Sequence, residues 1–148
     1  MAIQFQIRRG TTAQNSEFVG ALGGITMDTD TNGLRIHDGN AAGGYIIDTI
    51  VAFQPPTEEN GYTWYRRYSS GWVEQGGFEV LTGLKEKQIT FPVIMRDNHY
   101  TPSVTAGWAS ASSGQNEGCE NLQTTGMRLT ASYEGVTLWW QVCGMVAA

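Results

Sequence analysis

The sequence predicts an all-β chain: a small N-terminal β head followed by a C-terminal antiparallel β-sandwich. Three observations carry that prediction. The chain has 148 residues and 19 of them are glycine, against roughly 7% in an average protein, so tight turns are frequent. Charged residues make up 16% and aromatic residues 11%, where soluble domains carry roughly 25% charge. Surface is therefore hidden in packing or in an assembly. Apolar residues mostly alternate with polar ones in short runs cut by Gly, Pro, Asn and Asp, which is the signature of half-buried strands. The parts fall at residues 1–49 for the head, 50–61 for a linker and 62–148 for the sandwich.

In the head, Ile3, Phe5 and Ile7 alternate with polar neighbours and predict a strand. Arg9-Gly10-Thr11-Thr12 breaks it. Thr12 to Phe18 suits one short helical turn capped by Thr11 or Thr12. Ile25 to Asp28 and Leu34 to His37 read as two strands, and Asn32-Gly33 between them is a hairpin turn signal. Ile50 to Ala52 suits a strand or a short helix. Gln54 to Gly61 reads as linker, because Pro55-Pro56 cannot join a ladder. Beyond it, Tyr62 to Tyr68 and Gly71 to Gln75 form a hairpin around Ser69-Ser70-Gly71. Lys87 to Met95 is a strand that Pro92 confines to an edge or a bulge. Ser103 to Ser110, Met127 to Tyr133 and Thr137 to Val146 complete the set. Met127, Leu129 and Ala131 share one face, and Trp139 and Trp140 point to opposite faces. Ser110 to Asn121 reads as a long exposed loop.

A head of this size cannot bury enough apolar surface alone and needs disulfides, metal or partners. No cysteine precedes Cys119. The head therefore packs on the rest of the chain or on copies of itself. Phe5, Ile7, Ile25 and Ile36 are the candidate interface residues there, with Trp139 as a candidate in the sandwich. Cys143 sits in an apolar run and reads most simply as a small buried thiol; a disulfide with Cys119 stays open, although cytosolic assembly disfavours it.

The net charge of −5 opposes nucleic-acid binding, which needs basic residues to neutralise phosphates. It disfavours anionic membranes for the same reason. No apolar stretch is long enough to span a bilayer, and the N-terminus lacks the pattern of a signal peptide. Asp28-x-Asp30-x-Asn32-Gly33 copies half of a calcium loop, but the twelfth position is Gly39, not Glu. It reads as a hairpin turn, and no metal or cofactor is expected. His37-Asp38 has no nucleophile to serve and reads as structural. Glu58-Glu59 and the Glu117/Glu120 pair sit in predicted linker and loop, without the rigid separation that glycoside hydrolysis needs. No catalytic residues are expected. The polar loop Asp97, His99, Tyr100 and the segment with Trp108, Gln115 and Asn116 are the candidate ligand contacts.

The head resembles a segment found at the start of phage tail-fibre proteins, and is similar to the N-terminal segment of the major tropism determinant family of phage receptor-binding proteins. The residues that carry this are Arg8-Arg9-Gly10-Thr11-Thr12-Ala13, Phe18, Gly20, Ile25-Thr26-Met27-Asp28-Thr29-Asp30, Leu34-Arg35-Ile36-His37-Asp38-Gly39 and Ala42-Gly43-Gly44. The resemblance implies a prism-like head intertwined around a threefold axis, with its Asp and His as turn and packing residues. The C-terminal unit looks like tail-fibre β-sandwich tips through Trp64 to Gly77 and Ile89-Thr90-Phe91-Pro92. Together they imply a homotrimeric, non-enzymatic protein of the virion, made in the host bacterial cytoplasm. It would bind a bacterial surface glycan or protein and join other tail or baseplate proteins. The alternatives are a structural fibre adaptor without receptor binding and a glycan depolymerase.

Overall fold

The computed structural model describes residues 6–107 and 117–147. Among the described residues, regular structure is β except for one short helix. It divides into two compact units, Met1–Val51 with Tyr68–Ser70, and Ala52–Arg67 with Gly71–Ala148.

The first unit holds β1 (Arg8–Gly10), α1 (Thr12–Glu17), β2 (Ile25–Asp28), β3 (Gly33–Ile36) and β4 (Tyr45–Ile47), with the strands in the order β1-β2-β3-β4. Of the strand expected over Ile3 to Ile7, Ile3 lies outside the described residues. β1 begins at Arg8, and Arg8–Gly10 pairs in parallel with Thr26–Asp28. Phe5 lies outside the described residues, and Ile7 is half-buried ahead of the strand. The helix begins as its residues require. The Thr11 hydroxyl accepts from the Gln14 N–H at 3.2 Å and the Gln14 side chain accepts from the Thr11 N–H at 3.0 Å, a reciprocal cap. Asn32 takes the left-handed conformation with φ 55°. It closes a loop over residues 29–32, since Asp28 pairs with Gly33, rather than sitting in a two-residue hairpin.

One face of this sheet is covered largely from within the unit, and that face is polar apart from the exposed Ile46 on β4. Asn15, Thr26, Asp28 and His37 are buried, and no apolar side chain is buried among the unit's described residues. The register lines the other face with apolar rows, Ile25–Ile36–Tyr45 and Met27–Leu34–Ile47.

The second unit is a sandwich built from β5 (Ile50–Gln54), β6 (Trp64–Tyr68), β7 (Trp72–Val80), β8 (Glu86–Thr90), β9 (Thr101–Gly107), β10 (Gly118–Gln123), β11 (Gly126–Thr130) and β12 (Thr137–Met145). The order β5-β6-β7-β12-β9 forms one sheet and β10-β11-β8 the other. Residues 50–61, expected as a linker, carry β5 and a bonded turn. There the Asn60 amide donates to Pro55 O at 2.9 Å and the Tyr62 N–H to Thr57 O at 2.7 Å. Gly71, at φ 86°, closes the expected hairpin between β6 and β7, where a left-handed residue ends a three-residue loop.

The core is drawn from both sheets. Val73, Leu138, Trp140 and Val142 face Ile89, Met127, Leu129 and Ala131, all buried. Phe91 stands between Tyr100 and Trp140, with ring centroids 5.3 and 5.7 Å away. Three expectations need correcting. β8 ends at Thr90, so Pro92 lies past the strand, whereas Pro102 is inside β9, an edge of its sheet where a missing N–H is tolerated. Part of the expected Ser110–Asn121 loop is strand β10, recruited by pairing with β11 at Gly118–Glu120. Cys143 is on the outward face of β12 opposite Thr101 and half-buried, not in the core. Both cysteines are free thiols.

Candidate functional site

The carboxylate and histidine motifs of the first unit are structural. Asp28 Oδ1 accepts from the Thr12 hydroxyl at 2.9 Å and the Asp30 N–H at 3.1 Å, and Oδ2 from the Arg35 guanidinium at 3.1 Å. Burial raises its pKa, and these bonds outweigh burial to hold the carboxyl below its ordinary value. Asp30 accepts from the Thr12 N–H at the start of α1. The half-loop that resembled a calcium ligand set thus spends its oxygens on the helix and β3. His37 is buried. The Gly20 N–H donates to its Nδ1 at 3.3 Å, which leaves Nε2 to donate to the Thr26 hydroxyl at 3.0 Å. Gly20 and Gly44 leave room for the ring, since a Cβ on either would come within 2.5 or 2.8 Å of it. Asp38 accepts from the Ala41 and Asn40 N–H groups, which lower its pKa, and closes the next turn.

The loop singled out by its polarity does border a cleft. A cavity of about 430 Å³ is lined by Trp72, Arg96, Asp97, His99, Thr101 and Met145, among others. Asp97 is the brace of the loop. It accepts from the His99 N–H at 2.9 Å and from Arg96 Nε at 3.2 Å, and both interactions hold its carboxyl below the usual range. The His99 side chain is 88% exposed and Arg96 60%, so these two are free to meet a ligand. Tyr100 differs from its neighbours. It is a core residue, 6% exposed, and its hydroxyl donates to Gly126 O at 3.2 Å. Burial, with Cys119 nearby, pushes its pKa up to about 12. The loop is anchored from below by Gln75, fully buried, whose amide accepts from the Val93 N–H and donates to Val93 O, each at 2.8 Å.

Trp108, Gln115 and Asn116 lie outside the described residues. Trp139 and Trp140 separate as their adjacency requires: Trp140 is 3% exposed and Trp139 50%. Ile25 and Ile36 are exposed side by side at 44% and 42%. Sequence reasoning missed Trp72 and Met145 in the cleft. They are paired across β7 and β12, and the outward phase of those strands was the signal that pointed to them. It also missed a second cleft of about 420 Å³ bounded by Phe53, Pro55, Pro56, Trp64 and Arg66, hidden in the supposed linker.

The chain thus joins a polar-cored head to a two-sheet sandwich with a loop-lined cleft. Residues 5–41 match the family described as the major tropism determinant N-terminal domain. A segment of 47 residues is 51% identical to the tail fiber receptor-binding protein of Bordetella phage BPP-1, covering 32% of this chain and 12% of that protein. The chain thus spans about an eighth of that relative's length. Two solved structures share the fold over 97% of this chain at 16% identity. They are the P. aeruginosa R2 pyocin fibre, with a TM-score of 0.53 over 37% of its chain, and an N-truncated R2-type pyocin tail fiber, with 0.55 over 54%.

Proposed function

We propose that this chain is a phage tail-fibre protein of the virion that attaches it to a glycan or protein on the bacterial surface, working as a homotrimer. The observation that carries the reading is the pairing of two parts. The head is akin to that of a tail-fibre receptor-binding protein, and the sandwich has a pyocin-fibre fold. The head's burial pattern supports self-association. A unit that buries polar groups and leaves Ile25, Ile36, Tyr45 and Ile47 exposed has its apolar face waiting for identical faces. Three copies is the number the head's resemblance implies. Arg96 and His99, braced by Asp97, are the proposed receptor contacts in the sandwich. Individually weak sites then gain through several linked copies.

The test is binding of the fluorescently labelled chain to a panel of bacterial cells. Saturable binding to at least one strain, weakened by His99→Ala, supports the reading. Binding to none, with co-assembly onto other tail or baseplate proteins intact, leaves a structural adaptor instead.

A further inference from the structure

The outward face of the five-stranded sheet carries a groove between two indoles. The register builds it in rows. Trp64 on β6 pairs with Gly76 on β7, Gly76 with Gln141 on β12, and Gln141 with Ser103 on β9. The adjacent outward row is Phe78, Trp139 and Thr105. Two glycines let the rings lie down against the sheet. A Cβ on Gly76 would come within 2.9 Å of the Trp64 ring, and one on Gly107 within 2.1 Å of Trp139. The space left between them, about 200 Å³, is lined by Trp64, Gly77, Ser103, Thr105, Trp139 and Gln141, with Trp140 behind. Gln141, Ser103 and Thr105 are exposed. Among the described residues, no charged side chain lines this space. Trp64 is also a wall of the neighbouring cleft with Phe53, Pro55 and Arg66, which is not part of this groove.

These features restrict the occupant. It must offer an apolar face to an indole and hydroxyls to an amide and two side-chain hydroxyls. It must carry no charge, because the groove holds none to match it and burying an unpaired charge is costly. A second copy of the chain is a poorer fit, since the exposed floor is polar where a standing interface core is apolar. A pyranose presents both a C–H face and a rim of hydroxyls. We propose that this groove binds a neutral saccharide chain. Trp64 and Trp139 are its stacking platforms, and Gln141, Ser103 and Thr105 are its hydrogen-bonding floor. The biological role of the groove rests on the attachment reading above, and names the ligand class.

Calorimetric titration of the intact chain with neutral tetrasaccharides of glucose, mannose, galactose and N-acetylglucosamine tests this, with a uronate tetrasaccharide as the charged control. At least one neutral sugar is expected to bind, to change tryptophan fluorescence, and to keep its affinity from 50 to 500 mM salt. Trp139→Ala is expected to weaken it about tenfold, and Gln141→Ala, on an exposed site that folding tolerates, to weaken it measurably. Binding by none of the neutral sugars, preference for the uronate, or undiminished binding by both variants overturns the proposal. So does a drop in oligomer mass on Trp139→Ala, which marks an interface instead. The two readings fail separately. Cell binding without saccharide binding removes the groove and leaves attachment, and saccharide binding without cell binding does the reverse.

Discussion

Asp28 shows how a residue that looks chemical becomes architectural. Its carboxylate is buried with Arg35 at 3.1 Å, and removing one partner of such a pair strands the other charge. Asp28→Asn is expected to lower the stability of the first unit by about 3 kcal/mol, read from urea unfolding. The pH dependence has a definite sign. The folded carboxyl titrates below the ordinary value of 3.8, so its contribution is complete above that value and is lost as pH falls below it. Wild type is expected to lose stability through that window, and Asp28→Asn to lose less. In the sandwich, two adjacent residues of one loop divide their roles. Tyr100→Phe removes the hydroxyl bond to Gly126 O and is expected to cost about 1 kcal/mol in thermal melting, with cell binding unchanged. His99→Ala is expected to do the opposite, shifting stability by less than about 0.5 kcal/mol while weakening cell binding. Polarity in the sequence located this loop. It did not separate Tyr100 from His99, because only the seat against Phe91 turns a tyrosine in a polar loop into a core side chain.

Among the elements, strands with strict alternation were legible and strands made by their neighbours were not. Met127, Leu129 and Ala131 fall on one buried face, and Trp139 and Trp140 part as adjacent strand residues must. The capped helix at Thr12–Glu17 was legible from its threonines, and the part played by Gln14 was not. β10 was not, because Gly118, Glu120 and Asn121 have poor strand preference. Its place comes from the ladder with β11 and from Cys119 and Leu122 packing at the core edge. Gln75 belongs to the same class. Alternation on β7 turns it inward, but its purpose appears only with the segment it holds. Gln75→Leu leaves the Val93 N–H and C=O without their partner, a loss of about 2 kcal/mol. Hydrogen exchange is expected to quicken at Val93 while the β7–β12 ladder stays protected. Equal acceleration in both would show that Gln75 supports the whole sandwich and not the loop.

For the whole molecule, the sequence leads to the expectation that the head packs on the rest of the chain or on copies of itself. Ile25, Ile36, Tyr45 and Ile47 are exposed on one face of its sheet, with Met27 and Leu34 half-buried among them. The number of copies is legible only through resemblance, because an interface made between chains leaves no pairing signal in one chain. The candidate contacts Trp108, Gln115 and Asn116 rest on composition alone and lie outside the described residues. The proposed attachment through many linked weak sites would depend on that assembly. The most direct measurement is therefore the solution mass by light scattering on a sizing column, for wild type and for Ile36→Glu, at micromolar and then nanomolar concentration. A wild-type mass near three times the 16.2 kDa chain that persists on dilution, with Ile36→Glu shifted towards the monomer, is the expected result. A wild-type monomer at both concentrations, or a trimer indifferent to Ile36→Glu, would contradict it.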